Sequence, residues 1–340
     1  MTKIIGTGSF IPSEVKDDYF INKYGNKAVA VSKILSHHKH YLATDINNGL
    51  VRYTNTEMGT CAAKNAIDMA KIDPNEIDMI IYSTATPDYV VPPCFTQVQK
   101  NLQIKKCMGF DIRSGCAGFG SALTIADIYI TARKARTVLV IGADLLSSRF
   151  TQLPVHKYKV KQVFNHMFFG DCAGAVILSE SKEEGFIYSE MVSDRATIES
   201  GSNVLIGGSI YPYPSEQVDE EKWPIYQANN ISEKNLSEVL IQALKDMVNK
   251  TGVALKDVEA FIMPIESQKI KSIVLNQFPE IEESKIYSGG DSGALINAAI
   301  PLTIDKAVRN GDIKEGSSVV IYAAENTQWQ HAIIFMKWRS

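Results

Sequence analysis

An α/β fold built from two halves on one plan is what this sequence predicts, and three observations predict it. Short apolar runs such as 79–83, 138–141 and 318–323 are closed by small-residue turns, the pattern of buried parallel strands. Segments with helical apolar spacing alternate with them, as βαβ units require. The succession helix, polar turn, strand, glycine turn, helix, strand also occurs twice, over 62–144 and again over 236–326. The chain has 340 residues, 45% of them hydrophobic, enough for a sizeable core.

Taken in order, Lys3 to Gly6 reads as a strand running into a Gly-Thr-Gly loop. Residues 13–57 read as irregular and polar. They include Ser-His-His-Lys-His, with His37, His38 and His40, read as a solvated basic loop because no Cys or H-E-x-x-H accompanies it. Thr56 to Ala70 is expected to be a helix, Pro74 to Asp78 a turn, and Met79 to Thr84 a buried strand. Phe95 to Leu102 is expected to be a helix, Ile104 to Phe110 a strand, and Val138 to Ile141 another. Residues 149–165 read as a basic loop, and Met167 to Leu178 as a glycine-rich turn feeding a strand. Residues 179–235 read as insertions or a cap. In the second pass, Leu236 to Val248 and Ala298 to Arg309 are the helices, and Ala260 to Met263 and Ser318 to Ala323 the strands. The two halves are placed at 1–179 and 180–340.

Composition excludes several classes. A net charge of -3 gives no general pull toward nucleic acid or an anionic membrane. Five cysteines without a C-x-x-C spacing argue against a disulfide framework or zinc knuckle and suit a reducing cytosol. The N-terminus lacks an apolar signal region. No apolar run reaches the roughly 20 residues that span a bilayer. No Walker A or G-x-G-x-x-G opens a helix after a strand, which leaves a nucleotide-binding reading without support.

The chemistry concentrates in Asp111-Ile-Arg-Ser-Gly-Cys-Ala-Gly-Phe-Gly-Ser-Ala-Leu123. Cys116 falls where a strand turns into a helix, a place where backbone N–H groups and a helix dipole favour thiolate. Gly115, Gly118 and Gly120 leave room for another group to approach. That suits a nucleophile; the other reading is a small packed apolar side chain. The repeat sets Tyr287-Ser-Gly-Gly-Asp-Ser-Gly-Ala294 against the Cys116 turn, giving a second loop that can aim polar groups at the sulfur.

These motifs carry a resemblance. With Gly6-Thr-Gly-Ser-Phe-Ile-Pro12, Ser83-Thr-Ala-Thr-Pro-Asp88, Phe110–Phe119 and Phe169-Gly-Asp-Cys-Ala-Gly-Ala175, the chain resembles the thiolase superfamily, and most closely the β-ketoacyl-acyl-carrier-protein synthase III family. The resemblance implies a thiolase-like five-layer αβαβα fold with two pseudo-symmetric halves and a homodimer. It implies no permanently bound cofactor and no metal; the substrate is a coenzyme A or phosphopantetheine thioester, from acyl-CoA or acyl carrier protein. It implies ping-pong transfer in which Cys116 takes the acyl group and passes it to an acceptor. Val91 falls where the family's partner protomer contributes to the acyl tunnel. Ser267 and Gln268 fall where the family contacts pantetheine. Lys157, Lys159, Lys161, Lys269 and Lys271 fall near the tunnel mouth.

Three positions depart from the family pattern. Ile265 stands at the place of the family histidine, in Pro264-Ile-Glu-Ser-Gln268. Asp291 is read at the place of its asparagine, and Ala324-Glu-Asn326 replaces its glycine run, so that a backbone N–H at Asn326 is left to serve the oxyanion. Ile265 donates no hydrogen bond, and an ionised Asp291 repels an enolate. The expectation is therefore an acyltransferase acting through Cys116 on a carbon, oxygen or nitrogen acceptor. Asp291 leads Glu266 and Glu325 as the base. The alternative is a catalytically silent subunit paired with an active partner.

Overall fold

The computed structural model describes residues 1–35, 37–150, 159–193, 230–263, 268–288, 293–327 and 329–339, with backbone alone at 230–233 and 268. Two five-stranded sheets organise it. The first contains β1 (Thr2–Phe10), β4 (Met79–Ser83), β5 (Met108–Ile112), β6 (Thr137–Asp144) and β7 (Cys172–Glu180), in the order β1-β7-β6-β4-β5. The second contains β8 (Phe186–Ser193), β9 (Ala260–Ile262), β10 (Ile286–Tyr287), β11 (Ser318–Ala324) and β12 (Gln330–Lys337), in the order β10-β9-β11-β12-β8. In the first sheet, β4 runs parallel to both β5 and β6; in the second, β9 runs parallel to β10 and β11. A small ribbon pairs β2 (Ser13–Lys16) with β3 (Lys39–Leu42).

Three apolar clusters define the layers. The middle one buries α5 (Gly118–Thr131) and α9 (Ala299–Arg309) between the sheets, with Phe119, Leu123, Ile300 and Ile304 meeting Val140 of one sheet and Ile321 of the other. An outer cluster packs α3 (Asn55–Ala70) and α4 (Cys94–Asn101) on the first sheet through Met58, Ala62 and Val98. The opposite outer cluster packs α7 (Asn230–Thr251) and α8 (Gln268–Gln277) on the second through Leu244, Met247 and Val274. The result is the expected αβαβα stack.

Local chemistry places the ends of these elements. Thr54 and Glu57 form a reciprocal capping box at the start of α3, and Asp88 accepts the N–H groups of Asn55 at 2.8 Å and Thr56 at 3.0 Å. Asp111 does the same for α4, taking Cys94 N–H at 2.6 Å and Phe95 N–H at 3.0 Å.

The structure corrects several sequence expectations. β1 continues through Gly-Thr-Gly because β7 pairs with it as far as Phe10. Residues 13–57 are not irregular: besides β2 and β3 they hold α1 (Asp17–Tyr24) and α2 (Asn26–Ser32). With α6 (Val160–Phe168), taken in the sequence for the end of a basic loop, these helices bury Phe20, Tyr24, Val31, Val163 and Met167 together. Residues 186–193 form β8 rather than an insertion; 194–229 lie outside the described residues.

Candidate active site

Cys116 sits in a 3-10 turn, Gly115–Ala117, between β5 and α5. This is the strand-to-helix position the sequence predicts, and the side chain is half-buried. Gly115 is in the left-handed region at φ +50°, where a side chain is strained. A Cβ there would lie 3.1 Å from Glu325 Oε2, 3.2 Å from Glu325 Cβ and 3.3 Å from Glu325 Cγ. The space beside the Cys116 turn is thus filled by Glu325, not left open. Gly120 is filled likewise, since a Cβ would meet Ala323 and Ala332 of the second sheet at 2.7 and 2.9 Å.

Behind the turn lies a buried polar network. Ser83 Oγ donates to Asn297 Oδ1 at 2.6 Å. Asn297 in turn gives its backbone N–H, at 3.0 Å, and its amide N–H, at 2.8 Å, to Asp144 Oδ2. Asp144 Oδ1 accepts Ala85 N–H at 2.8 Å and the Thr86 hydroxyl at 3.0 Å. Burial pushes the Asp144 carboxyl up, against the pull of the hydrogen bonds from Asn297, Ala85 and Thr86. The Ser-Thr-Ala-Thr-Pro-Asp motif is accounted for here: Ser83, Thr84 and Thr86 feed this network, and Asp88 caps α3.

Asn297 and Asp144 escaped the sequence reading. Asn297 belongs to a 3-10 turn, Ile296–Ala298, that precedes α9 as Gly115–Ala117 precedes α5, and the two turns touch. Ile296 even repeats the left-handed conformation of Gly115, at φ +47°. The signal was one asparagine in the apolar run Ala-Leu-Ile-Asn-Ala-Ala-Ile. Asp291, which the repeat set against Cys116, lies outside the described residues, as do Ile265, Glu266, Ser267 and Lys157.

The Phe-Gly-Asp-Cys motif ties together segments far apart in the chain. Phe169 bridges to Ala294, whose N–H reaches Phe168 O at 2.9 Å. Asp171 accepts Ala43 N–H at 2.7 Å, Leu146 N–H at 2.7 Å and Ser147 N–H at 2.9 Å. Cys172 donates to Phe10 O at 3.1 Å, and burial pushes its thiol up to about 12. Cys94 is also pushed up to about 12 by burial.

The remaining expected residues separate. Asn326 is 9% exposed and follows Glu325 directly. Val91 is 80% exposed, in an apolar tip with Tyr89 and Val90. Gln268 begins α8, its side chain outside the described residues. Lys159, Lys161 and Lys269 are exposed. Lys271 pairs with Glu283 at 2.8 Å. The histidine tract is not a solvated loop. His40 is buried between Met167 O at 2.7 Å and Asp17 Oδ1 at 2.7 Å, and His37 reaches the same carbonyl at 3.0 Å; only His38 is exposed. Among the described residues no group of three His, Cys, Asp or Glu side chains is placed to hold a metal ion.

The family model described as 3-oxoacyl-acyl-carrier-protein synthase III matches residues 110–195, which contain Cys116 and the Phe-Gly-Asp-Cys motif. The chain is 30% identical over 324 residues to beta-ketoacyl-acyl-carrier-protein synthase III 1 of Vibrio parahaemolyticus, covering 95% of each chain. It is 29% identical over 326 residues to the beta-ketoacyl-acyl-carrier-protein synthase III of Aliivibrio fischeri, again covering 95% of each. Among solved structures, it resembles a tetronic acid condensing enzyme with a TM-score of 0.86 and 20% identity, covering 99% of this chain and all of that one. It resembles the 3-oxoacyl-acyl-carrier-protein synthase III of Aquifex aeolicus with a TM-score of 0.81 and 24% identity, at the same coverage. These two likenesses establish the thiolase-like fold.

Proposed function

This chain belongs to the β-ketoacyl-acyl-carrier-protein synthase III family of acyltransferases, and from that premise we propose that Cys116 is its acyl-carrying nucleophile. The observation that carries this reading is the setting of Cys116. It occupies a strand-to-helix turn, backed by the Ser83–Asn297–Asp144 network and flanked at Gly115 by Glu325.

The reaction has two balanced steps. The Cys116 sulfur attacks the carbonyl carbon of an acyl-CoA or acyl-carrier-protein thioester. The bond from that carbon to the donor sulfur breaks, and the donor leaves as its thiol with the proton Cys116 gives up. A carbon, oxygen or nitrogen acceptor then attacks the acyl carbon, the bond to Cys116 breaks, and a base takes the acceptor's proton. Asp291 is the proposed base, Asn326 the proposed oxyanion donor through its backbone, and Ser267 and Gln268 the proposed pantetheine contacts. Two observations outside the turn agree. The tip at Val91 is apolar and exposed, as suits a residue offered to a partner protomer in a homodimer. All five cysteines are outside disulfides, as suits the cytoplasm.

Intact-protein mass spectrometry after incubation with a panel of acyl-CoA and acyl-carrier-protein thioesters tests this. The expected result is one acyl adduct, absent in Cys116→Ala. No adduct from any donor, on folded protein, overturns the reading and leaves the silent partner subunit.

A further inference from the structure

We infer that Glu325 is a positioning residue for the Cys116 site, a clamp that holds the connection between β11 and β12 against the nucleophile's turn. The inference rests on the acyl-transfer reading and deepens it.

Glu325 follows β11 directly and is 3% exposed. Its Oε1 accepts Gln330 N–H at 2.8 Å. Its Oε2 accepts Thr327 N–H at 2.5 Å and also the Thr327 hydroxyl. Its own backbone N–H donates to Gln330 O at 2.9 Å. One carboxylate therefore ties the end of β11 both to Thr327 and to Gln330, the first residue of β12. The outer edge of the same side chain lies against Gly115, with three of its atoms in contact distance of the missing Cβ.

Glycine at 115 and glutamate at 325 are complementary in consequence. Gly115 supplies the left-handed turn and the vacancy; Glu325 fills the vacancy and ties off the facing loop. The peptide groups on either side of Asn326 are fixed relative to Cys116 by this contact. Acyl transfer through a tetrahedral intermediate needs hydrogen-bond donors fixed before reaction, because donors that must reorganise lose most of their effect. A loop free of side-chain strain reaches that rigidity through glycine geometry; this loop reaches it through a buried carboxylate.

The same facts argue against Glu325 as the base that deprotonates Cys116 during loading. Its oxygens already take three donors within its own turn, and protonation would weaken each of those bonds. A positioning role and a base role separate in experiment.

The test follows Cys116 acylation by rapid-quench mass spectrometry, using the acyl-CoA that loads the wild-type protein fastest, across donor concentration and pH. Glu325→Ala is expected to lower the maximal loading rate about 100-fold. The half-saturating donor concentration should change less than about threefold, since uniform binding is untouched. Glu325→Gln keeps an acceptor oxygen and should recover about tenfold of the loss, as a neutral hydrogen bond recovers part of a charged one. The acidic limb of the pH profile should keep its midpoint in all three proteins. Iodoacetamide alkylation of Cys116, run alongside, should remain near the wild-type rate.

Three results overturn the inference. Glu325→Ala loads at the wild-type rate; or Glu325→Gln is as slow as Glu325→Ala and the acidic limb is lost, which makes Glu325 a base; or alkylation and folded fraction fall in step with loading, which makes its role one of stability alone. A wild-type protein that loads no donor defeats the acyl-transfer reading itself, and is told apart from these because they all require loading in the wild type.

Discussion

Asn297 gives two N–H groups to a single oxygen of Asp144, joining the turn before α9 to the first sheet. Asp144 ends β6 of the first sheet, and Asn297 lies in the turn that enters α9. Their contact fixes the Cys116 turn from behind.

Asp144→Asn sets an amide where two donors already point, or turns its oxygen toward them and leaves Ala85 and Thr86 facing an NH2. Either way buried partners go unsatisfied. Urea unfolding should show a loss of about 2–4 kcal/mol, because one charged acceptor serves several buried donors here.

Gly118→Ala tests the same region sterically. The new Cβ would stand 2.2 Å from Ser83 Oγ and 2.5 Å from Asn297 Oδ1, two atoms that are already hydrogen-bonded to each other. Thermal unfolding should reveal a loss of about 1–3 kcal/mol from overpacking. Alkylation of Cys116 should change as well, since the turn sits on this contact.

The thiols should sort by burial. In folded protein at about pH 8, iodoacetamide should modify Cys116 while sparing Cys94 and Cys172, whose thiols burial has pushed up to about 12. Peptide mapping should find all five modified once the chain is unfolded. Rapid labelling of Cys172 in native protein would contradict the packing of β7 on Phe10.

His166 predicts an acid-side loss of stability. It is fully buried, with Nδ1 2.7 Å from Tyr24 OH, and Nε2 has no hydrogen-bond partner among the described residues. Burial, then the nearby charges of Lys23 and His40, hold its pKa well below the usual histidine value. The unfolded chain thus binds the proton more readily than the folded one. Stability is complete above the unfolded value of about 6.5 and falls by about 1.4 kcal/mol per pH unit below it. His166→Phe keeps the stacking with Phe150 and the edge-on contact with Phe20 and should flatten that slope between about pH 7.5 and 5.

Much of the fold was legible because its signals are local. The apolar runs around Ile81, Val140 and Val320, the helix at Met58–Ala66 and the turn at Cys116 each carry their own pattern. The small helices before Leu42 were not legible: Phe20, Tyr24 and Val31 make their cluster with Val163 and Met167, far along the chain, and short polar helices have weak periodicity of their own. The histidines misled for the same reason. His40 looks solvated in sequence and is buried because Met167 O and Asp17 arrive from elsewhere. Within the site, Cys116 announced itself through its glycines. Asn297 did not, since only tertiary contact reveals that a lone polar residue in an apolar run meets Asp144. Glu325 drew notice as a departure from a glycine run, but its contact with Gly115 could not be read from two positions so far apart in sequence.

The order of strands in the second sheet sets a timetable for synthesis. β8 is an edge strand whose one partner among the described strands is β12, which lies far later in the chain. The first sheet can close once residue 180 has emerged, because β7 then pairs with β1. β8 follows a few residues later and must wait, unpaired, until Lys337 is made. During that interval the nascent chain carries an open template for pairing with other chains. β12 therefore acts as the closing latch of the second sheet. Deleting β12 should release aggregation-prone protein, although no residue of the Cys116 turn is touched.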